Sequence, residues 1–94
     1  MKRISKEEAR TLLNQALVET DRKREGTFFQ PLESVKTQLE YLLGSLDNQN
    51  DRYRLGDIII GRYAAYEFEP SDPEYANLLY EATKVCSLMS KGFL

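Results

Sequence analysis

The chain has 94 residues, 30% of them charged, with one Cys, no His and a formal net charge of −2. That length makes one domain with a modest core, since folding a chain of this size removes roughly 65% of its surface from water. The counts exclude His-based acid–base catalysis, His/Cys zinc sites, a CxxC redox pair and an intrachain disulfide, and no apolar run approaches the ~20 residues of a membrane helix.

The opening MKRISKEEAR has no apolar signal-peptide core, so the expected location is cytoplasmic. Ser5 followed by Glu8 is a capping box: hydroxyl and carboxylate satisfy orphan amides at a helix start. Ala9, Leu12, Leu13, Ala16 and Leu17 recur at helical period up to the charged stretch Asp21 to Glu25, which predicts a first helix over about 5–23. After Gly26 come Phe28 and Phe29, one read as stapling the next helix and the other as an exposed anchor.

Pro31 suits a first helical position, and Leu32, Val35, Leu39, Leu42, Leu43 and Leu46 make the stripe of a second helix over about 31–46. The polar turn Asp47 to Asn50 closes it. Asp51 is placed to cap a third helix over about 52–67, carrying Leu55, Ile58, Ile59, Arg62, Tyr63 and Tyr66. The run Ile58-Ile59-Ile60 would also suit a strand, but no second strand candidate exists to pair with it. Gly56 and Gly61 are expected to mark close approach of a neighbouring backbone or partner. Pro70 ends that helix, Ser71 or Asp72 caps the next, and Pro73 sits in its first turn. Tyr75, Leu78, Leu79, Ala82, Val85, Cys86 and Met89 complete a fourth stripe over about 72–89, followed by a tail expected to fray. The fold class is therefore all-α, a single-domain bundle of about four amphipathic helices.

The charge is unevenly distributed. Residues 1–36 carry eight of the 13 bases, whereas Tyr63 to Thr83 hold five acids (Glu67, Glu69, Asp72, Glu74, Glu81), five aromatics (Tyr63, Tyr66, Phe68, Tyr75, Tyr80) and no Lys or Arg. Solvated helix faces usually mix signs, so a one-signed aromatic segment reads as a surface for a basic partner. Nucleic acid is not expected there, because phosphate binding needs clustered Lys and Arg. The bland reading makes Phe68 a plug at the end of the bundle, Glu67 and Glu69 solvated charges, and Asp72 and Glu74 partners of a helix dipole. Tyr41, Tyr63 and Tyr80 fall at core spacing, and Cys86 lies on an apolar stripe as a small hydrophobe. Carboxylates such as Asp57 have neither a nucleophile nor a metal set beside them, so no catalytic residue, metal or cofactor is assigned.

The spans VKTQLEYLLGSL and DRYRLGDIIIGRYAAYEFEPSDPEYANLLYEATKV resemble the immunity proteins of bacterial type VI secretion systems that protect their producer from an NAD(P)+ glycohydrolase effector. The matching positions are Gln38, Leu39 and Tyr41, then Leu55, Gly56, Ile58, Ala64, Glu67, Phe68, Glu69, Asp72, Pro73 and Glu74, within about residues 35–85. The resemblance implies an all-helical, non-enzymatic protein that binds a cognate toxin domain as a heterodimer and blocks its NAD-binding site. It implies toxin contacts from Tyr63, Tyr66, Glu67, Phe68, Glu69, Asp72 and Glu74. Glu67, Glu69 and Asp72 would mimic phosphate charge, with Tyr66 and Phe68 as stacking or packing anchors. An NAD+-using ADP-ribosyltransferase fits as target equally well. The competing readings are an adaptor or antitoxin-like module on a basic protein without NAD chemistry, and a homodimer through Tyr63 to Glu74.

Overall fold

The computed structural model describes residues 4–94, so the reading of Met1 to Arg3 in the leader argument lies outside it. Four helices carry the fold: α1 Lys6–Arg24, α2 Gln30–Leu46, α3 Ile60–Tyr63 and α4 Pro73–Ser90. A 3-10 turn, Leu55–Asp57, precedes α3, and a π-helical turn, Ala64–Phe68, continues it. No strand occurs among the described residues.

α1 starts as its sequence demands. The Ser5 hydroxyl accepts from the Glu8 amide at 3.0 Å while the Glu8 carboxylate accepts from the Ser5 amide at 2.9 Å. Ala9, Leu13 and Ala16 are buried where α1 lies against both α2 and α4, the two alanines allowing close approach. α2 buries Leu32, Val35, Leu39, Leu42 and Leu46. α4 buries Tyr75, Ala76, Leu79, Ala82, Val85, Cys86, Leu88 and Met89, so it is the helix around which the others pack.

The span predicted as a third helix from residue 52 is instead a braced loop until Ile60. Arg52 adopts φ 61°, a left-handed conformation that no helix tolerates, and Asn48 does the same at 58°. Local side-chain bonds replace the helical ladder. Asn50 Oδ1 accepts from the Arg52 amide and from the Ser45 hydroxyl, each at 2.9 Å. The Arg52 guanidinium donates to the Ser45 carbonyl at 3.2 Å and to the Leu94 carbonyl at 2.8 Å. Asp51 accepts from the Tyr53 amide at 2.9 Å, a local turn and not a helix cap.

Two residues of α2 hold the far side of this loop. Gln38 Oε1 accepts from the Ile59 amide and the Tyr41 hydroxyl accepts from the Arg54 amide, both at 2.7 Å. Three residues apart on one helix face, they pin the segment to which Leu55 and Gly56 belong. Those four positions all carry the family likeness, and here their work is to fix a loop.

The glycines divide. A Cβ on Gly61 would lie 3.2 Å from Thr83 Oγ1 of α4, so Gly61 permits close helix approach, whereas no atom of the described chain lies within 4 Å of a Cβ on Gly56. The tail also departs from expectation, for α4 ends in a Schellman motif: Phe93 N–H donates to Leu88 O at 2.9 Å and Gly92 N–H, at φ 80°, to Met89 O at 3.1 Å. Leu94 packs against the core, and Arg52 holds its carbonyl.

Candidate functional site

The segment Ala64–Phe68 is wound as a π turn, closed by Glu69 N–H donating to Ala64 O at 2.8 Å, five residues back. The wider turn changes which side chains face in. Ile60, Ala64 and Phe68 are buried, while Ile59 is 38% exposed and Tyr66 77% exposed, so both of the latter lie at the surface. Tyr63 is half-buried against the core.

Phe68 is 6% exposed and cannot offer its ring to a partner. It sits edge-on to Tyr75 at 4.9 Å and to Phe29 at 6.1 Å, a three-ring stack joining the loop before α2, the π turn and the start of α4. The plug reading therefore describes it, and its role at a contact surface is support.

Asp72 is likewise turned inward. Its carboxylate caps α4, accepting from the Tyr75 amide at 3.2 Å, and pairs with Lys23 of α1. The Lys23 ammonium, with help from that amide, holds the Asp72 carboxyl below its ordinary value. Lys23 also lies 4.9 Å from the centre of the Tyr75 ring. The Tyr75 hydroxyl reaches Thr20 Oγ1 at 2.7 Å, and burial pushes its pKa up to about 12.

Glu67, Glu69 and Glu74 remain on the exterior with Tyr66. Among the described residues Glu67 and Glu74 enter no ion pair, and Glu69 accepts only from the Tyr80 hydroxyl, at 3.3 Å. Burial, with Glu69 adding to it, raises the Tyr80 pKa. The candidate set thus splits into outward Tyr66, Glu67, Glu69 and Glu74, inward Phe68 and Asp72, and half-buried Tyr63.

Sequence reasoning read one of Phe28 and Phe29 as a staple and the other as an exposed anchor without choosing between them; Phe28 is 78% exposed, and Phe29, 41% exposed, packs edge-on to Phe68. Both lie at the same end of the bundle as Phe68 and the start of α4. Their signal was the Phe-Phe pair between Gly26 and Pro31, which cannot by itself say which ring faces water.

No constellation suited to catalysis emerges. Cys86 is buried with its thiol pKa raised by desolvation, and its Sγ donates to Leu55 O at 3.5 Å. A groove of about 350 Å³ between α2 and the loop is lined by Gln38, Tyr41, Asp57 and Ile59, yet Gln38 and Tyr41 have their polar ends committed to backbone amides. No group of three or more His, Cys, Asp or Glu is placed to hold a metal among the described residues. No helix among the described residues is long and apolar enough to cross a membrane.

The helical fold with exposed acids beside Tyr66 defines a small all-α domain. The Tsi6 family model matches residues 8–87, and the chain belongs to the Tsi6 family of type VI secretion immunity proteins. A chain in the solved structure of Tse6 in complex with Tsi6 is similar at a TM-score of 0.82 and 28% identity, covering 92% of this chain and 94% of that one. The structure of Tsi6 from Pseudomonas aeruginosa is similar at 0.75 and 30% identity, covering 83% and 93%. No curated protein matches the chain.

Proposed function

We propose that this protein is an immunity protein that binds a cognate effector toxin in the cytoplasm of the producing cell, covers its NAD+-binding cleft and catalyses nothing itself. Family membership supports the class, and the likeness to a chain of the Tse6–Tsi6 complex over 92% of this chain supports a one-to-one protein partner. The observation that carries the reading is the outward set Glu67, Glu69 and Glu74 beside Tyr66, acids that have no cationic partner among the described residues.

A cleft that binds a dinucleotide pyrophosphate presents backbone amides, helix N-termini or Arg and Lys to the anion. Carboxylates entering or capping that cleft occupy the same positive field. The acids raise association rate and specificity, while aromatic burial supplies most of the affinity. The proposal covers both an NAD(P)+ glycohydrolase and an ADP-ribosyltransferase as target, since both open such a cleft.

The test is NAD+ loss catalysed by the effector domain encoded beside this chain, with and without stoichiometric protein. Suppressed turnover is the expected result. An effector that transfers ADP-ribose to an acceptor, and is suppressed, selects the transferase branch. Tight binding with undiminished turnover would overturn cleft occlusion and favour the adaptor reading.

A further inference from the structure

The geometry points to Phe28 as an apolar anchor of the same partner-binding end, seated on binding in a phenyl-sized pocket of a basic protein surface. This rests on the immunity reading above and adds a residue that the family-like positions do not include.

The loop carrying Phe28 is braced on both flanks. Arg24, the last residue of α1, forks to Glu33 in the first turn of α2, with Nε and Nη2 each donating at 2.8 Å. Glu25 N–H donates to Arg22 O at 3.3 Å and Thr27 N–H to Arg24 O at 3.2 Å, with Gly26 at φ 70° making the turn. On the other side Phe29 packs edge-on to Phe68, and its carbonyl accepts from the Leu32 amide at 2.9 Å. Phe28 stands between these fixed points with 78% of its surface in water. A ring presented on a held loop loses little conformational freedom on binding, the property that distinguishes an anchor from an incidental exposed side chain.

The charges around it identify the partner's chemistry. The bases nearest the loop have internal partners: Arg22 pairs with Glu19, Lys23 with Asp72, and Arg24 with Glu33 and Asp21. Exposed Glu25, Glu67 and Glu74 enter no ion pair among the described residues. The end of the bundle that displays Phe28 therefore presents net negative charge around an apolar ring, complementary to a pocket rimmed by Lys or Arg.

Tyr53 provides the control. It is 86% exposed, but its neighbour Arg54 is bonded to Tyr41, roughly 18 Å along α2 from Phe29. Equilibrium and stopped-flow binding to the effector domain encoded beside this chain would compare the unaltered protein with Phe28→Ala, Phe28→Leu and Tyr53→Ala. Light scattering would be run on each free protein. Phe28→Ala is expected to bind at least tenfold more weakly, chiefly through faster dissociation, with Phe28→Leu intermediate and Tyr53→Ala within twofold of the unaltered chain. Phe28→Ala within twofold of the unaltered protein would overturn the anchor alone. A free dimer that Phe28→Ala dissolves would assign the ring to a second copy and overturn it too. Failure of the unaltered chain to bind would remove the functional reading, and the anchor with it.

Discussion

Thr20 and Tyr75, 55 residues apart in sequence, join α1 to α4 through a buried hydroxyl pair 2.7 Å apart. Thr20 has one hydroxyl proton, and the Ala16 carbonyl, 2.8 Å away, can only accept, so Tyr75 donates to Thr20 and not the reverse. The direction of this bond makes the two truncations unequal. Thr20→Val leaves the Tyr75 hydroxyl buried without an acceptor and should cost about 1–3 kcal/mol, whereas Tyr75→Phe should cost only about 0.5–1.5 kcal/mol. The double substitution, with no polar atom left unpaired, should be closer to Tyr75→Phe than to the sum. Urea unfolding of the three variants checks this, and additive losses would show that the pair is not coupled.

The same ring contributes to the alkaline sensitivity of the fold. Burial raises the Tyr75 pKa to about 12 from its ordinary 10.0, so the folded state holds the proton longer than the unfolded one. That contribution is complete below pH 10 and is lost as pH rises toward about 12. Tyr75→Phe should flatten this part of the stability curve in unfolding measurements between pH 9 and 12.

Asp72 sets an acid limit of opposite sign. Its carboxyl is held below the ordinary 3.8 by Lys23 and the Tyr75 amide, so its contribution is present above that value and is lost as pH falls through the lower folded-state value. Asp72→Asn keeps a capping oxygen but lacks the charge, and should weaken the acid dependence while costing less than Asp72→Ala, which loses the cap as well at about 1 kcal/mol. Equal stability of the Asn and Ala variants at neutral pH would remove the cap from the account.

Gly56 and Gly61 should answer oppositely to alanine. Gly56→Ala meets open space and restricts the unfolded chain, so a gain of about 0.4–1 kcal/mol is expected. Gly61→Ala drives its methyl against Thr83, whose hydroxyl is tied to Leu79 O at 3.0 Å, and should be neutral or destabilising. Adding Thr83→Ala should recover the Gly61→Ala loss. Thermal unfolding of the set suffices, and a gain from Gly61→Ala alone would mean α4 yields more easily than its contacts suggest.

Reversing the outward charges should act on kinetics more than on folding. Glu67→Lys with Glu69→Lys should slow association with the effector at least several-fold and flatten its salt dependence, because both carboxylates are exposed. The helical circular dichroism spectrum should not change. Identical association rates at low and high salt for both proteins would exclude steering by these acids.

The helices that could be read from the chain are those whose instructions are local. Ser5 with Glu8, Pro31, and Asp72 with Pro73 lie beside the stripes they start, so α1, α2 and α4 follow from neighbours in sequence. The first half of the predicted third helix, 52–59, is a loop because the Arg52 side chain bonds a carbonyl 42 residues away and its backbone turns left-handed, neither of which a hydrophobic period records. The π turn beyond it turns Phe68 inward and leaves Tyr66 outside. At the site, the uncompensated acids were visible as a count of charges, whereas the inward roles of Asp72 and Phe68 depend on Lys23 and Phe29 from other elements.

The π turn also bears on how a surface of this kind diversifies. A five-residue hydrogen-bonded step differs from an ordinary helical one by a single residue, so losing one residue between Ala64 and Phe68 would restore α-helical winding. Tyr66 and Glu67 would swing about 100° around the axis relative to everything after them, while Pro70 and the cap of α4 kept their own local instructions. A lineage could thus redirect its contact face by a length change of one codon, leaving the buried framework to be inherited intact.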